Sequence, residues 1–565
     1  MAGGLLNIVA IGNNNVILTG NPTKTFFKAV YSKYTNFGLQ KFRIDFDGMR
    51  DLRLTEPSVF TFKIPRYAEL LMDTYLAITL PNIWSPIYQP VPANTANKDA
   101  LHNNNTWAPY EFRWIRDLGT QIIKEVSITC GSQLIQKYSG QYLNAMVERD
   151  FTKDKKDLFN KMSGNIDELN NPANAYNRVN VYPSAYYEPG TAGAEPSIRG
   201  RQLLIPINTW FTLDSRCAFP LVSLQYNELT ITVTLRPIQE LFQVRDVFDS
   251  TNHFPYMKPD FNLQYFQMYR FLQTPPSVNI NPEYYTNTIS TWNADVHLIS
   301  TYCFLSKEEA QLFANDDQIY LIKDVFEYNF YNIIGSSKLS LTSSGMVANW
   351  MWFLQRNDVN MRNEWSNYTN WPYHVLPVNL LNAPIDSPLT SVMNYGPYYN
   401  PNPIGDQTHS NNTTGIFITG PFIVDNQKEI LETMAILLNG DYRENVLPRG
   451  IYDYIEKYVR TPGFAKDGIY CYNFCLNTSP FEYQPSGAIN LSKFKNIELE
   501  LTTFVPNFDF VKSVFNITCD GNGNAIGTNK STWRLYEYNF NLTLFEERYN
   551  VLSFVGGNCA MLYAR

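Results

Sequence analysis

The feature that most constrains the fold of this chain is a unit of strand, corner and strand that occurs twice. In the first half, the apolar segment LLIPINTWF (Leu203–Phe211) precedes a proline-containing corner and the alternating segment ELTITVTL (Glu228–Leu235). In the second half, IYCYNFCL (Ile469–Leu476) precedes a PSG corner and then IELELTTF (Ile497–Phe504). The strands start 25 residues apart in the first unit (203 to 228) and 28 in the second (469 to 497), and the units lie about 266–269 residues apart. This repetition predicts an internal duplication of one β-sandwich.

Alternation of apolar and polar residues predicts which side of each strand is buried. In ELTITVTL, the leucine, isoleucine and valine side chains share one face and the threonines occupy the other. A strand that is apolar on one face packs in a sandwich or a barrel. By the same alternation, we expect Leu499 to be buried and its neighbour Glu498 to be exposed.

Helical patterns are few, and long polar segments separate the strands. Gln141–Met162 carries apolar side chains near helical spacing, and Ser306 followed by Glu309 forms a capping-box pattern at the start of SKEEAQLF. The long polar segments are Trp84–Tyr110, Ser163–Gly200 and Asn370–Gly415. Loops of this length either carry function or decorate a surface passively, and the sequence leaves both interpretations open.

Length and charge limit the classes of protein to which the chain can belong. A chain of 565 residues exceeds one hydrophobic core, so two domains are expected. Charged residues make up only 17% of the chain and aromatic residues 15%, which is typical of a loop-rich β-protein or of one with large contact surfaces. The net charge of −7 and the lack of a dense Lys/Arg block argue against direct packaging of nucleic acid. No apolar run approaches ~18–20 residues and the start is a poor signal peptide, so we expect a soluble chain made in the cytosol.

The sequence offers no convincing catalytic, cofactor-binding or metal-ligating residue. The five histidines are isolated, and no HExxH motif is present. Cys471 and Cys475 would lie about 13 Å apart along a strand, so we interpret them as buried small hydrophobes. The segment CDGNGNAIG (Cys519–Gly527) resembles the front of a calcium loop but carries Ala525 and Ser531 where that loop needs Gly and Glu. A hairpin connection is therefore favoured for it.

A second hypothesis starts from Asp358 and Glu364. These carboxylates are near Trp350 and Trp352 in sequence, and together they could be glycosidase acids beside sugar-stacking tryptophans. The interpretation that we favour is that both tryptophans share one strand face and pack in a core or a subunit contact. A β-sandwich carbohydrate-binding protein or glycosidase remains the alternative, supported also by the aromatic-rich loops and the weak surface charge.

Five segments, in order along the chain, resemble the motifs of one known family. LTGNPTKTFFKAVYSKYTNF (Leu18–Phe37) is similar to its opening signature, and FPLVSLQYNELTITV (Phe219–Val233) is similar to the motif that ends its first domain. YQPSGAINLSKFKNIELEL (Tyr483–Leu501) resembles the most distinctive motif of its second domain. SITCGSQLIQKYSGQYLNAM and SKEEAQLF occur between these segments in the expected order. The family is that of the major capsid proteins of nucleocytoplasmic large DNA viruses.

The resemblance implies an all-β fold with long loops and a few short helices. This fold is a double jelly roll, in which two eight-stranded antiparallel jelly-roll sandwiches follow each other along the chain. The expected division is an N-terminal arm at residues 1–25, a first jelly roll at 26–245, a linker at 246–290 and a second jelly roll at 291–565. The one structural site that we single out is the corner Pro485, Ser486 and Gly487, where a positive φ is expected at the glycine.

The function that the resemblance implies is that of the major structural subunit of an icosahedral capsid, without enzymatic activity and without a cofactor. Three copies would form a capsomer of six sandwiches, which tiles the shell in nearly hexagonal packing. The implied partners are the chain itself in a homotrimer, neighbouring capsomers, minor capsid proteins, and an inner membrane reached by the N-terminal arm. Direct contact with nucleic acid is not implied, and glycans on the outer loops are left open. The implied location is the virion, after assembly in the host cytoplasm.

Overall fold

The computed structural model describes residues 16–46, 48, 51–85, 111–178, 182–183, 185, 195–245, 256–263, 266–275, 285–371, 373–374, 427–463, 465–506, 515–519, 525–530 and 538–563. Most of the segments Trp84–Tyr110 and Asn370–Gly415, and most of the expected arm, lie outside the described residues. No helix within the described residues is long and apolar enough to cross a membrane.

The described strands and helices are numbered along the chain. The strands are β1 Phe37–Asp45, β2 Ser58–Lys63, β3 Leu70–Thr79, β4 Phe112–Trp114, β5 Ile123–Cys130, β6 Gln133–Tyr138, β7 Gln202–Pro206, β8 Phe219–Pro220, β9 Leu229–Leu235, β10 Phe242–Arg245, β11 Tyr256–Met257, β12 His297–Leu305, β13 Gln318–Ile333, β14 Ser336–Leu341, β15 Met346–Arg356, β16 Leu431–Leu438, β17 Asp441–Pro448, β18 Ile469–Asn473, β19 Ile489–Asn490, β20 Ile497–Thr503, β21 Phe515–Cys519, β22 Ala525–Lys530, β23 Phe540–Val555 and β24 Asn558–Met561. The α-helices are α1 Val16–Thr19, α2 Leu118–Ile122, α3 Gly140–Asp150, α4 Lys153–Ser163, α5 Asp167–Asn170, α6 Trp210–Leu213, α7 Lys307–Asn315 and α8 Glu456–Arg460.

The first jelly roll is a sandwich of two antiparallel sheets. One sheet has the strand order β1-β12-β3-β7, with the short β8 added to β3, and the other has the order β2-β9-β5-β6. The apolar residues of β9 are all buried, whereas its threonines are only partly buried, as the alternation in the sequence predicts. They share a core with Phe60 and Phe62 of β2 and with Leu76 of β3. One face of each sheet is therefore buried against the other.

The second jelly roll is a sandwich of the same kind. Its sheets have the orders β13-β23-β15-β18 and β14-β20-β16-β17, with β19 added to β15 and β24 added to β23. On β20, Leu499 is fully buried, whereas Glu498 is partly exposed and forms a 2.8 Å ion pair with Lys338 of β14. The predicted faces of this strand are therefore confirmed. Trp350 and Trp352 of β15 are buried in the same core, as the favoured interpretation of the two tryptophans expects.

The two sandwiches repeat one strand order, which confirms the predicted duplication. The strands β13, β23, β15 and β18 occupy the positions of β1, β12, β3 and β7, and β14, β20, β16 and β17 occupy those of β2, β9, β5 and β6. The strand pairs that reveal the repeat in the sequence, β7 with β9 and β18 with β20, thus hold equivalent places. The chain is a double jelly roll.

The closing strand of the first jelly roll comes late in the sequence. Strand β12 (His297–Leu305) lies between β1 and β3 and pairs with both. It falls within the range 291–565 that the sequence analysis assigns to the second jelly roll, but its partners all belong to the first. The difference arises because the long segment before β12 has the sequence pattern of a linker between domains. The first sheet nevertheless needs β12, the strand that follows this segment, to join β1 to β3. The pairing keeps the chain in the first sandwich through Leu305, and α7 then leads to β13.

The helix expected at Gln141–Met162 is two helices, α3 and α4. Phe151 interrupts them with extended backbone, φ −86° and ψ 136°, because this conformation buries its ring against Phe159 and Phe481. The capping pattern at Ser306 is confirmed as an N-cap, since its hydroxyl accepts a 3.4 Å hydrogen bond from the backbone N–H of Glu309.

Candidate functional site

The two jelly rolls meet along one face of the sheet β13-β23-β15-β18, against which α3 packs. On β15, Trp350 points into the core of the second sandwich. Met351 and Phe353, on the other face of the strand, belong to the same hydrophobic cluster as the core residues of the first sandwich. On β23, the ring of Phe545 lies 5.5 Å from that of Tyr142 on α3. The central strands β15 and β23 of this sheet are therefore buried on both faces over most of their length. We call the contact between α3 and this sheet the junction.

Buried charges cross the junction. Arg149, near the end of α3, donates to both carboxylate oxygens of Asp150 at 3.0 and 2.6 Å. The same guanidinium donates to Glu547 on β23 and to Asn349 on β15, each at 2.8 Å. All four side chains are buried. Removing a buried charge from its partner is strongly unfavourable, so this cluster favours one relative position of the two sandwiches.

Glu547 is the acceptor at the centre of this cluster. It accepts hydrogen bonds from the Tyr142 hydroxyl and from the Asn349 side-chain amide, each at 2.9 Å. Burial opposes its ionisation, but the charges of Arg149 and Lys323 and these amide and guanidinium hydrogen bonds lower its pKa to about 2. Burial has the opposite result at Asp150, whose pKa is raised despite the guanidinium beside it. Glu547 is therefore ionised at neutral pH, as a partner of the Arg149 guanidinium.

Ion pairs of Lys466 also join the two jelly rolls near the end of α3. Lys466 of the second jelly roll lies 2.5 Å from Asp117 and 3.3 Å from Glu148 of the first. Burial raises the pKa of Asp117, but the Lys466 charge outweighs it and the net shift is downward. Nearby, the backbone N–H of Gly463 donates to the carbonyl of Arg149 at 3.1 Å. A Cβ at Gly463 would lie only 2.5 Å from that oxygen, so the close approach requires glycine.

The segment after β15 binds the first jelly roll through side-chain hydrogen bonds. Asn363 donates to the carbonyl of Phe242 at 2.8 Å, and the indole of Trp365 donates to the carbonyl of Glu240 at 3.0 Å. Glu364 accepts from Gln243 at 2.9 Å. Glu364, one of the two carboxylates in the glycosidase hypothesis, is thus engaged in the contact between the sandwiches.

The other carboxylate of that hypothesis is held between two arginines. Asp358 lies 2.7 Å from Arg356 and 2.8 Å from Arg362, and all three side chains are buried. Burial raises the pKa of Asp358, but the two guanidinium groups outweigh it and lower the pKa well below its usual range. The nearby Trp350 is buried and donates to Glu546 at 2.7 Å. These contacts explain the residues of the alternative hypothesis as parts of the scaffold.

The corner Pro485, Ser486 and Gly487 lies beside a groove between the two jelly rolls. Gly487 has φ 132°, so the expected positive φ is observed. The hydroxyl of Ser486 accepts from the backbone N–H of Asn477 at 3.0 Å and donates to the carbonyl of that residue at 2.9 Å. The corner therefore closes the loop after β18. The groove is lined in addition by residues of the first jelly roll, including Trp210.

The candidate cysteine and calcium motifs take structural positions. Cys471 on β18 and Cys475 just after it are buried, and burial raises the pKa of the Cys471 thiol to about 12, as expected for small core residues. The two ends of the calcium-like segment form the antiparallel pair β21 and β22, which confirms the hairpin connection. Among the described residues, no group of three or more His, Cys, Asp or Glu side chains could hold a metal ion.

The junction residues Arg149, Glu547 and Lys466 were not found by sequence reasoning. A signal was present for two of them. The triplet ERD ends an amphipathic helix, and the triplet EER interrupts the long apolar strand FNLTLFEERYNVLSFV. Charges at positions that the apolar pattern assigns to a buried face indicate paired, buried ions.

Among the exposed large apolar side chains of the described residues, two groups far apart in the sequence contain five or more members each. The first, which we call the aromatic arm, precedes β1 and has no regular structure. Its most exposed members are Phe26, Phe27, Val30, Tyr31 and Tyr34, of which Phe27 is 98% exposed. The second, which we call the α8 patch, runs from β17 to α8 and contains Tyr442, Val446, Tyr454, Ile455, Tyr458 and Val459. Tyr458 is 91% exposed. Exposed apolar groups of this size are typical of contact surfaces.

Two family models match the chain, one in each half. Residues 25–273 match the model described as the major capsid protein N-terminus, and residues 309–560 match the model of the large eukaryotic DNA virus major capsid protein. The major capsid protein of Phaeocystis pouchetii virus is 24% identical over 588 residues, which cover 96% of this chain and 97% of the relative. That of Paramecium bursaria Chlorella virus 1 is 22% identical over 569 residues and is covered completely, as is this chain.

Solved structures show the same fold. The VP54 protein of PBCV-1 superposes with a TM-score of 0.58 at 17% identity, covering 96% of this chain and all of that chain. The Faustovirus major capsid protein gives a TM-score of 0.57 at 13% identity, covering 98% of each chain. With the two family models, the full-length relatives and the repeated strand order, the chain belongs to the major capsid proteins of large eukaryotic DNA viruses.

Proposed function

We propose that this capsid protein works as a trimeric capsomer whose six sandwiches imitate a hexagon. The observation that carries the proposal is the equivalence of the two strand orders within one chain. Three single sandwiches would have a triangular outline, whereas three pairs of equivalent sandwiches give six similar bodies around one axis. Such a unit packs into flat, nearly hexagonal arrays of one protein.

The junction supports this role because a tile needs a fixed shape. Arg149, Glu547 and Lys466 hold the two sandwiches through buried ion pairs, and Gly463 permits contact between their backbones. A hinge between the sandwiches would let the outline of the capsomer vary, and neighbouring capsomers would then lose their common contacts.

The α8 patch is the surface that we assign to contact between subunits. A ring of three identical chains uses heterologous contacts, in which one surface binds a different surface of the next copy. The patch lies on the second jelly roll, so its complement in the next subunit is expected on the first. Each contact is expected to bury more than ~2,000 Å², the scale of obligate interfaces.

The test is the mass of the purified chain in solution, measured by analytical ultracentrifugation. The wild-type chain is expected to be a trimer, and Tyr458→Glu is expected to dissociate it, since the contact would bury an unpaired carboxylate. The matched control is Leu158→Glu on α4, a side chain 62% exposed and outside the patch, which is expected to stay trimeric. A monomeric wild type would refute the trimer. A trimeric Tyr458→Glu variant would refute the assignment of the patch.

The remaining roles follow from the same proposal. The capsomer acts without turnover or cofactor, and its partners besides itself are minor capsid proteins and an inner membrane, reached by the N-terminal arm at residues 1–25. Assembly takes place in the host cytoplasm. Limited proteolysis of intact particles tests the orientation: residues 1–25 are expected to be protected, and the segments Trp84–Tyr110 and Asn370–Gly415 are expected to be cleaved. Cleavage confined to residues 1–25 would reverse the assigned faces.

A further inference from the structure

Two cysteines from opposite ends of the chain lie side by side. Cys130 is the last residue of β5 in the first jelly roll, and Cys559 lies in β24, the last strand of the second. Both are buried, and both belong to the same hydrophobic cluster. The largest influence on the pKa of each thiol is the other thiol of the pair. The pair is a further contact between the sandwiches, away from α3.

Hydrogen bonds of neighbouring residues hold together the two segments that carry the cysteines. The carbonyl of Gly557, in the turn before β24, accepts hydrogen bonds from the backbone N–H groups of Gln225 at 2.9 Å and Tyr226 at 3.3 Å. Asn227 donates through its side-chain amide to Asn558 at 3.4 Å. The turn between β23 and β24 is therefore docked on the loop that leads into β9.

The same loop lies against the end of β5. In the β5–β9 pair, Cys130 is opposite Leu229, two residues after Asn227. A Cβ at Gly131 would lie 2.7 Å from the side-chain oxygen of Asn227. The residue after Cys130 and the residue before Cys559 thus both contact Asn227, which brings the two cysteines close together.

The environment differs between the two thiols in a way that assigns their roles. The hydrogen bond from Cys559 lowers the pKa of Cys130, assisted by the charge of Arg66, which donates to the carbonyl of Asn227 at 2.8 Å. The hydrogen bond with Cys130 and burial raise the pKa of Cys559. Cys130 is therefore the better nucleophile, and Cys559 is the thiol that resolves.

We propose that Cys130 and Cys559 are a modification site at which a small-molecule disulfide closes a covalent link between the first jelly roll and the C-terminal hairpin. The Cys130 thiolate attacks one sulfur of the disulfide and releases one thiol, forming a mixed disulfide. Cys559 then loses its proton, attacks the Cys130 sulfur and releases the second thiol. In sum, two protein thiols and one disulfide become one protein disulfide and two small thiols.

The position of β24 gives the reagent access. This strand is four residues long, is an edge strand that pairs with β23 alone among the described strands, and has exposed residues on both sides of Cys559. Local opening of such an edge costs less than unfolding of a sandwich. The thiols stay reduced in a cytosol and close in oxidising surroundings, so the link would form after the chain leaves the reducing compartment.

The experiment uses the full-length chain and oxidised glutathione. The protein is incubated folded and, in parallel, refolded in a glutathione redox buffer; free thiols are then alkylated and the peptides are mapped by mass spectrometry. The expected product is a peptide pair linked through Cys130 and Cys559 in both samples, together with a rise in melting temperature that a reductant reverses. Cys559→Ser is expected to lose both results, whereas Cys303→Ser, a buried cysteine on β12, is expected to keep them.

Four outcomes would overturn the proposal. One is that both cysteines remain alkylatable after refolding in the oxidising buffer. Another is a link that joins other cysteines, or a mixed glutathione disulfide that never resolves. The last is a linked protein that melts at the same temperature as the reduced one, because a link that joins the two sandwiches limits the freedom of the unfolded chain.

Discussion

Replacement of Glu547 by glutamine tests whether buried charge holds the junction. Glutamine preserves the shape of the side chain and still accepts a hydrogen bond, but it leaves Arg149 with one carboxylate fewer. On folding, the pKa of Glu547 falls from 4.5 to about 2. A difference of one in pKa corresponds to about 1.4 kcal/mol, so ionised Glu547 contributes about 3 kcal/mol to the free energy of unfolding at neutral pH.

The sign of the pH dependence follows from the direction of this change. Because the folded pKa of Glu547 is lower than the unfolded one, its contribution is complete above pH 4.5 and is lost as the pH falls toward 2. Glutamine cannot be protonated in this range, so the variant lacks that loss. Asp150 titrates in both proteins. The charge of Glu547 is one of the causes that raise its pKa, after burial, so the substitution also lowers the pKa of Asp150 and offsets part of the deficit at pH 7.

The assay is urea unfolding at pH 7 and pH 3, with both proteins at one fixed concentration so that any association affects them equally. Glu547→Gln is expected to be about 3 kcal/mol less stable than the wild type at pH 7, and about 1 kcal/mol less stable at pH 3. Glu498→Gln is the control, since its ion pair with Lys338 lies at the surface and contributes at most about 1 kcal/mol. A deficit that is the same at both pH values, or no larger than that of the control, would refute the reasoning.

Four further substitutions probe the scaffold through the midpoint of thermal or urea unfolding. Gly487→Val should cost about 1–3 kcal/mol, because a β-branched residue is strained at φ 132°, and an unchanged midpoint would contradict it. Leu499→Asp should cost several kcal/mol by burying an unpaired charge, whereas Glu498→Ala should be mild; equal costs would mean that the faces of β20 are reversed. Gly463→Ala should lower the midpoint by forcing a Cβ against two backbone carbonyls of the first jelly roll. An unchanged midpoint would mean that the backbone moves to accommodate the Cβ, and that glycine is not required there.

The faces of the central strands could be predicted from the sequence because they depend on local alternation. In β9 and β20, side chains point alternately to the core and away from it, so two residues of context decide the face of Leu499. The duplication was equally accessible, since equivalent strands carry similar patterns at similar spacing. The corner at Gly487 was recognised by a glycine between a proline-containing turn and a strand.

The partners of β12 and the charges of the junction were out of reach for a different reason. Strand β12 pairs with β1, whose residues lie 252 to 268 positions earlier (Asp45 pairs with His297 and Phe37 with Leu305), and a local pattern does not specify such a partner. Arg149 and Glu547 are likewise 398 residues apart. Each charge interrupts the apolar face of its own helix or strand. The packing of α3 against β23 explains both, because it pairs the two charges with each other. The break at Phe151 also depends on a distant ring, that of Phe481.

The late position of β12 has a consequence for synthesis on the ribosome. The strand lies between β1 and β3, so until Leu305 has emerged, each of these two strands presents an unpaired edge to its surroundings. A nascent chain of this protein therefore carries an open sheet from the end of β3 at Thr79 to the end of β12 at Leu305, which is about two fifths of its translation. We expect molecular chaperones of the host cell to be needed most during that interval, and fragments that stop before β12 to aggregate.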